Sequence, residues 1–401
     1  MTYLRQVEIT TADSAAVGAF SRLRVAEVTS LLASKQLHDN SPFFFDDAEV
    51  SGSGTGSSHS TDLAAVNMTV GNTTAGKRVR QTFRRFEYQP GKSQLIAVTW
   101  TEFDTSTGIT KRAGFFDDNN GLFFESAEGT VKVVRRTSTS GSPVDNAVAQ
   151  ASWNIDPMDG TGPSGKTLDF TKAQIGIIDF QWLGVGRVRM GFDIDGVIYY
   201  CHQFLNANNL STVYMSTPNL PIRYSIENDG TGAADGFYHI CSCVMTEAGL
   251  QPTGIIRSYT SPTLTTLSAG TTYALASGRL KSTHLDVTIQ PARFSVAAAT
   301  ANDIARWSLL LNPTNAGSPV FADVANSAVQ VAPGAKAQTI TGGTQIDAGY
   351  FASAQPASDI PQSEAALGAK IDGTRDVLVL AVTPITNNIN VQGSITWREQ
   401  V

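Results

Sequence analysis

Three cysteines, Cys201, Cys241 and Cys243, in 401 residues make no disulfide framework, which fits synthesis in a reducing cytoplasm. Charge is scarce too, at 16% Asp, Glu, Lys and Arg against about 25% in ordinary soluble domains. So sparse a surface points to coverage by a partner or by copies of the same chain. The net charge of −6 and pI near 5.4 remove any global electrostatic case for nucleic acid or anionic membranes. No apolar run approaches bilayer-spanning length, and Met1-Thr-Tyr-Leu-Arg-Gln6 has neither the basic nor the apolar region of a signal peptide. The histidines (His38, His59, His202, His239, His284) are scattered, no serine sits in a G-x-S-x-G elbow, and no carboxylate pair stands out. The chain is therefore expected not to be an enzyme.

What is present is a two-residue rhythm. In Gly114-Phe-Phe-Asp-Asp-Asn-Asn-Gly-Leu-Phe-Phe-Glu125 two aromatic runs flank an Asp/Asn/Gly cluster, the sequence form of a hairpin, with Asn120-Gly121 expected at positive φ. In Arg187–Ile194, Val188, Met190, Phe192 and Ile194 share one face, and Asp195-Gly196 turns the chain into Val197–Cys201. The fold class expected is all-β.

Residues 1–60 read as an extended N-terminal leader or anchoring arm, with a short helix around Val25–Leu37 and a mobile Gly/Ser loop at Ser51–Ser58. Residues 61–248 read as a jelly-roll-like antiparallel β-sandwich of many short strands. Residues 249–262 are the expected linker, and 263–401 a smaller Ig-like sandwich with a turn or two of helix at Ser363–Ala369. The part from 251 onward carries nine basic and nine acidic residues and is neutral.

Several motifs invite chemistry. Gly160-Thr-Gly-Pro-Ser-Gly-Lys-Thr167 matches the phosphate-binding G-x-x-x-x-G-K-[ST] pattern, yet the apolar strand before it and the helix after it are missing. A glycine-rich surface loop is the expectation. Cys201-His202 and His239-x-Cys241-x-Cys243 contain zinc-ligand types, but a C-x-C spacing on a strand lacks the knuckle geometry, and core packing is expected. Asp117–Gly121 and Asp193-Ile-Asp195 resemble pieces of calcium loops without the distal Glu, so no cofactor is expected, calcium being the one ion these loops could recruit. Lys77–Phe86 interleaves basic and aromatic residues. Its Arg78, Arg80 and Arg84 would share one strand face, as an interface stripe in an acidic chain rather than a nucleic-acid groove.

Three segments carry a resemblance: Arg80-Gln-Thr-Phe-Arg-Arg-Phe-Glu-Tyr-Gln-Pro-Gly-Lys-Ser-Gln-Leu95, Asp179-Phe-Gln-Trp-Leu-Gly-Val-Gly-Arg-Val-Arg-Met-Gly-Phe192 and Pro218-Asn-Leu-Pro-Ile-Arg-Tyr-Ser-Ile226. With Trp307–Thr314 and Thr341–Thr344, they make the chain resemble a family of virion structural proteins of tailed bacteriophages, over most of its length. The family has no settled activity and carries over no catalytic residues. The resemblance implies a non-enzymatic particle component at the surface or neck (a decoration, fibre, spike or connector-associated protein), assembled in the host bacterial cytoplasm. It would be a homo-oligomer, a trimer first, in contact with other virion proteins. Phe43, Phe44 and Phe45 with Arg78, Arg80 and Arg84 are the expected anchoring residues. The central region also resembles concanavalin- or laminin-G-type jelly rolls, a likeness of fold that does not fix function. It implies the alternative of a lectin-like module for host surface glycans, with Asp117, Asp118, Asn119, Asn120 and Trp153 as the ligand loop.

Overall fold

Gln94–Thr101 alternates buried and half-buried residues without a break, the signature of a strand with one face in a core. That pattern runs through the whole molecule. The computed structural model describes residues 17–25, 27–247, 249, 253–298, 304–352, 356–359 and 366–400. The chain is all-β and divides into two units, 1–82 with 88–251 and 83–87 with 252–401. Among the described residues the only helix is one 3-10 turn, Gln150–Ser152, and no helix is long and apolar enough to cross a membrane.

The first unit is a jelly-roll-like sandwich. Its eight-stranded sheet holds β1 (Val28–Lys35), β3 (Thr55–Ser60), β4 (Ala65–Val70), β6 (Gln94–Thr101), β11 (Gln174–Phe180), β12 (Val188–Ile194), β13 (Val197–Phe204) and β15 (Asp235–Glu247). The order is β13-β12-β11-β6-β15-β4-β3, with β1 also on β15. Its seven-stranded sheet holds β2 (Phe45–Gly52), β5 (Gly76–Thr82), β7 (Ile109–Phe116), β8 (Gly121–Ala127), β9 (Thr130–Thr137), β10 (Val144–Ala149) and β14 (Ile222–Asn228). Here the order is β10-β9-β8-β7-β14-β5-β2, all antiparallel. Aromatic rings fill the space between the sheets, with Trp100 5.2 Å from Phe124 and Phe115 5.8 Å from Phe180.

The second unit is also a two-sheet sandwich. One sheet holds β16 (Ile255–Thr260), β17 (Leu264–Leu267), β19 (Thr288–Ala298), β26 (Ala357–Asp359) and β28 (Ile389–Gln400). The other holds β18 (Tyr273–Leu280), β20 (Ile304–Leu311), β22 (Ala322–Asp323), β23 (Val329–Pro333), β25 (Thr344–Ala352) and β27 (Val377–Pro384). A small pair, β21 (Thr314–Asn315) with β24 (Ile340–Thr341), stands apart. Leu275, Phe294, Trp307, Leu380 and Trp397 centre its core.

Several expectations are corrected. Val28–Lys35 is a strand on β15, not a helix; Thr29 is half-buried and Ser30 exposed in the two-residue rhythm. Ser51–Ser58 is the end of β2 in one sheet, a turn whose Gly52 and Gly54 adopt φ of 67° and 76°, and the start of β3 in the other sheet. Residues 28–60 are thus sandwich strands rather than leader, and Ile255–Thr260 in the expected linker is β16. Of the helix expected at Ser363–Ala369, residues 363–365 lie outside the described residues; Leu367 and Ala369 make isolated bridges to Ile289 and Arg375. The hairpin at 114–125 forms, but neither Asn120 nor Gly121 has positive φ. Gly121 is needed for another reason: a Cβ there would lie 2.0 Å from that of Phe116.

Candidate functional site

The expected anchoring residues separate by depth. Phe45 opens β2 and is buried, 5.1 Å from the His239 ring and 4.4 Å under the Arg80 guanidinium. Phe43 and Phe44, in the preceding turn, are 70% and 54% exposed. That turn is fixed: the Phe44 and Phe45 amides both donate to Ser41 O at 3.0 Å, Ser41 N donates to Asp39 Oδ1, and Ser41 Oγ to Gln36 Oε1 at 2.9 Å. Leu37 and Leu63 are also exposed.

Arg80 ties the turn to the core. It is fully buried, donating to His239 Nδ1 at 3.1 Å, Gln36 Oε1 at 3.2 Å and Asn40 O, with Asp47 Oδ2 3.5 Å away. Burial lowers its pKa to about 10, against the opposing pull of Asp47. Because Arg80 donates to Nδ1, the His239 proton sits on Nε2 and faces Ser242 Oγ at 2.9 Å. A base for Ser242 would need that nitrogen free, so the pair is structural. Burial, then Arg80, holds the His239 pKa well below its usual value.

Arg78 is half-buried and pairs with Asp47 at 2.6 Å. Arg84 does not join the stripe: β5 ends at Thr82, and 83–87 belongs to the second unit, where Phe83 O accepts from Ala369 N. The three arginines therefore form no common face.

At the hairpin tip, Asp117 Oδ1 accepts from the Asn119 and Asn120 amides at 2.7 and 2.8 Å, closing a four-residue loop. Asn120 is buried and bonds Ser216 through both ends of its amide. Asp118 and Asn119 project; the Asp118 side chain is 71% exposed and pairs with Arg223 at 2.5 Å. Desolvation works to raise its pKa; Arg223, by charge and hydrogen bond, with Lys77 and Arg136, outweighs this and leaves it lowered. Trp153 is no platform. It is buried beside Phe192, and its indole N–H donates to Val148 O.

Behind the tip, the outer face of the seven-stranded sheet carries a row that sequence reading missed. Lys77, Glu227, Arg112, Glu125 and Lys132 stand on five adjacent strands with alternating sign, at successive separations of 3.5, 3.7, 2.7 and 3.5 Å. Beside it, Phe116 and Phe123 stack at 4.4 Å beneath Arg223 and Arg136. Neither β7 (ITKRAGFF) nor β8 (GLFFESA) announces it, because only the pairing of β5, β14, β7, β8 and β9 brings the row together.

A second missed cluster covers the other sheet. Residues 17–24 form a strap closed by a Val17–Leu23 bridge and lying over β11 and β12. Asp179, fully buried, meets Arg189, Arg24 at 2.6 Å and the Tyr200 hydroxyl at 2.8 Å. Arg189 also donates to Val17 O, Arg187 to Ala19 O, and Arg24 lies 3.8 Å from Glu247.

Gly160–Thr167 is a loop held by Asp156, which accepts from Ser164 N, and no helix follows Lys166. Asp193 Oδ1 accepts from Gly196 N in its hairpin turn. Among the described residues no three His, Cys, Asp or Glu side chains converge to hold a metal. A cation is present in the form of Lys111, buried with its ammonium 2.8 Å from Glu102 O, 3.2 Å from Asp235 and 3.5 Å from Asp104.

No protein-family model and no curated protein matches the chain. Solved structures do resemble it. The Emp46p carbohydrate recognition domain in potassium-bound form is 11% identical, covering 55% of this chain and 97% of its own, at a TM-score of 0.33. A Bacillus licheniformis β-glucanase is 10% identical over 54% and 98%, at 0.34. A legume lectin-like domain from Entamoeba histolytica is 10% identical over 56% and 100%, at 0.32. Likeness at this level says nothing of what the present chain binds.

Proposed function

We propose that the chain is a non-enzymatic structural component of a tailed-bacteriophage particle, acting as a homo-oligomer that docks through the Phe43–Phe44 turn. The observation that carries this is two phenyl rings held in water on an immobilised turn. Covering them would gain roughly 1.5–3 kcal/mol each, with little ordering cost because the turn is already fixed. Rigid exposed aromatics of this kind anchor interfaces. The test is mass spectrometry of purified particles carrying wild-type or Phe43→Ser/Phe44→Ser chain. The wild type should be retained and the double variant lost while its circular dichroism is unchanged. Equal retention refutes the assignment.

A second reading, a lectin-like module for host surface glycans, is supported by the row of fixed donors and acceptors from Lys77 to Lys132 and by the projecting Asp118. Glycan-array binding abolished by Asp118→Ala would establish it, and a blank array would remove it. No reaction is assigned, and no cofactor.

A further inference from the structure

A sheet edge is a row of unpaired backbone donors and acceptors that other strands can join, and soluble proteins guard such edges. Most edges of this molecule carry a guard. β1, β2, β17 and β25 are bulged against their partners, and β2 adds Asp46, Asp47 and Glu49. The β13 edge is capped by residues 154–156, whose amides at 155 and 156 donate to Cys201 O. β22 and β26 are two and three residues long, β10 exposes Asp145, and β3 holds glycine, serine, threonine and histidine but no large apolar residue.

Among the described edges β16 is the exception. Its six residues, Ile255-Ile-Arg-Ser-Tyr-Thr260, pair with β28 without a bulge and include no Asp, Glu, Lys, Pro or Gly; the one charged side chain, Arg257, is held back by Asn326 O and Glu399. Ile255 and Ile256 are 57% and 58% exposed, one on each face of the sheet. Among the described residues, no backbone bonds to the outer edge of the strand.

We infer that β16 is a homotypic docking edge, joining β16 of a second copy antiparallel about a two-fold axis through Ser258. The choice of a second copy rests on self-complementarity. A two-fold perpendicular to the sheet keeps like faces together. With Ser258 on the axis, Ile256 faces Thr260 on the outer face, a β-branched pair, and Arg257, which its own chain holds through Asn326 O and Glu399, stands opposite Tyr259 on the inner face. Centring on Arg257 instead sets two guanidinium groups opposite each other, which is repulsive. The inference does not depend on the particle reading, whose docking turn lies in the first unit.

The test uses the full-length chain at about 100 µM, since one strand pair is a small interface, with mass read by analytical ultracentrifugation. The wild type is expected as an even-numbered assembly, and Ile256→Lys, on an exposed position, as half that copy number with unchanged circular dichroism. Thr260→Glu added to Ile256→Lys sets Lys opposite Glu in this register alone and should recover association to within about threefold of wild type. A wild type that stays at one copy, an Ile256→Lys variant that assembles as before, or a double variant that fails to recover each overturns the pairing.

Discussion

The two units bury charge in different ways. The first buries cations, Arg80, Lys111, Arg189 and Arg223, together with carboxylates such as Asp179 and Glu125; among the described residues the second buries no lysine or arginine, only the carboxylates Glu87, Asp376 and Glu399. A buried carboxylate can be satisfied mainly by neutral donors, as Glu399 is by Ser327 Oγ, Ala328 N and the Trp397 indole, with Arg257 3.5 Å away, and Asp376 by Gly368 N. A buried cation needs oxygens gathered from several elements. Arg80 draws on Gln36, Asn40, Asp47 and His239; Arg189 on Val17 and Asp179. The first unit thus fixes its loops through long-range charged ties, while the second rests on apolar packing around Leu380 and Trp397. Buried ion pairs specify arrangement more than they stabilise, and they are costly to break by halves.

The contrast can be broken most sharply at Asp179. Asp179→Ala strands Arg189 without its carboxylate and should cost about 3–5 kcal/mol, read as lost amide-exchange protection across the first unit with little change in the second. Leu380→Ala, a pure packing loss, should cost about 3 kcal/mol and reverse that pattern. Acid should also act on the first unit. Burial pushes the His202 pKa down to about 4 from an ordinary 6.5, so as pH falls below 6.5 the unfolded chain takes up a proton that the folded chain refuses. Stability is then lost between about 6.5 and 4, on the order of 3 kcal/mol from this group, with His239 adding in the same direction. Urea midpoints across that range check it; a flat profile defeats it. The smallest effect is expected from Glu399→Gln, about 2 kcal/mol, because its hydrogen-bond donors are neutral groups and the amide keeps one accepting oxygen while leaving one donor unmatched. Loss as large as that of Asp179→Ala would erase the distinction between the units.

The strands were legible where one face meets a core, as in Gln94–Thr101 and Arg187–Ile194, because burial imposes a period of two. Asp195-Gly196 was legible as a turn because its geometry needs positive φ, at 57° and 79°. Val28–Lys35 was not, since an edge strand with one exposed face reads equally as a weak amphipathic helix. The aromatic turn at 43–45 stood out in the sequence, but which rings are exposed depends on Arg80, whose contacts with Phe45, Asn40 and Gln36 span 35 to 44 residues. The expected ligand loop was legible only as residue types. Asp117, Asn120 and Trp153 are polar or aromatic enough to bind a sugar, yet their bonding groups are spent on Asn119, Ser216 and Val148. The Lys77–Lys132 row and the Asp179 cluster leave no local pattern, because each gathers partners from separate strands.

The strap at 17–24 also sets a schedule. Arg24 leaves the ribosome early, but the carboxylates it meets are Asp179 and Glu247. At about 5–20 residues per second, Glu247 follows Arg24 by roughly 10–45 s. Through that interval the strap has no seat, and β11 and β12 must pair before one exists. A segment made before the strands that seat it is therefore among the last to dock, settling on the sheet only after the unit that carries it has been assembled.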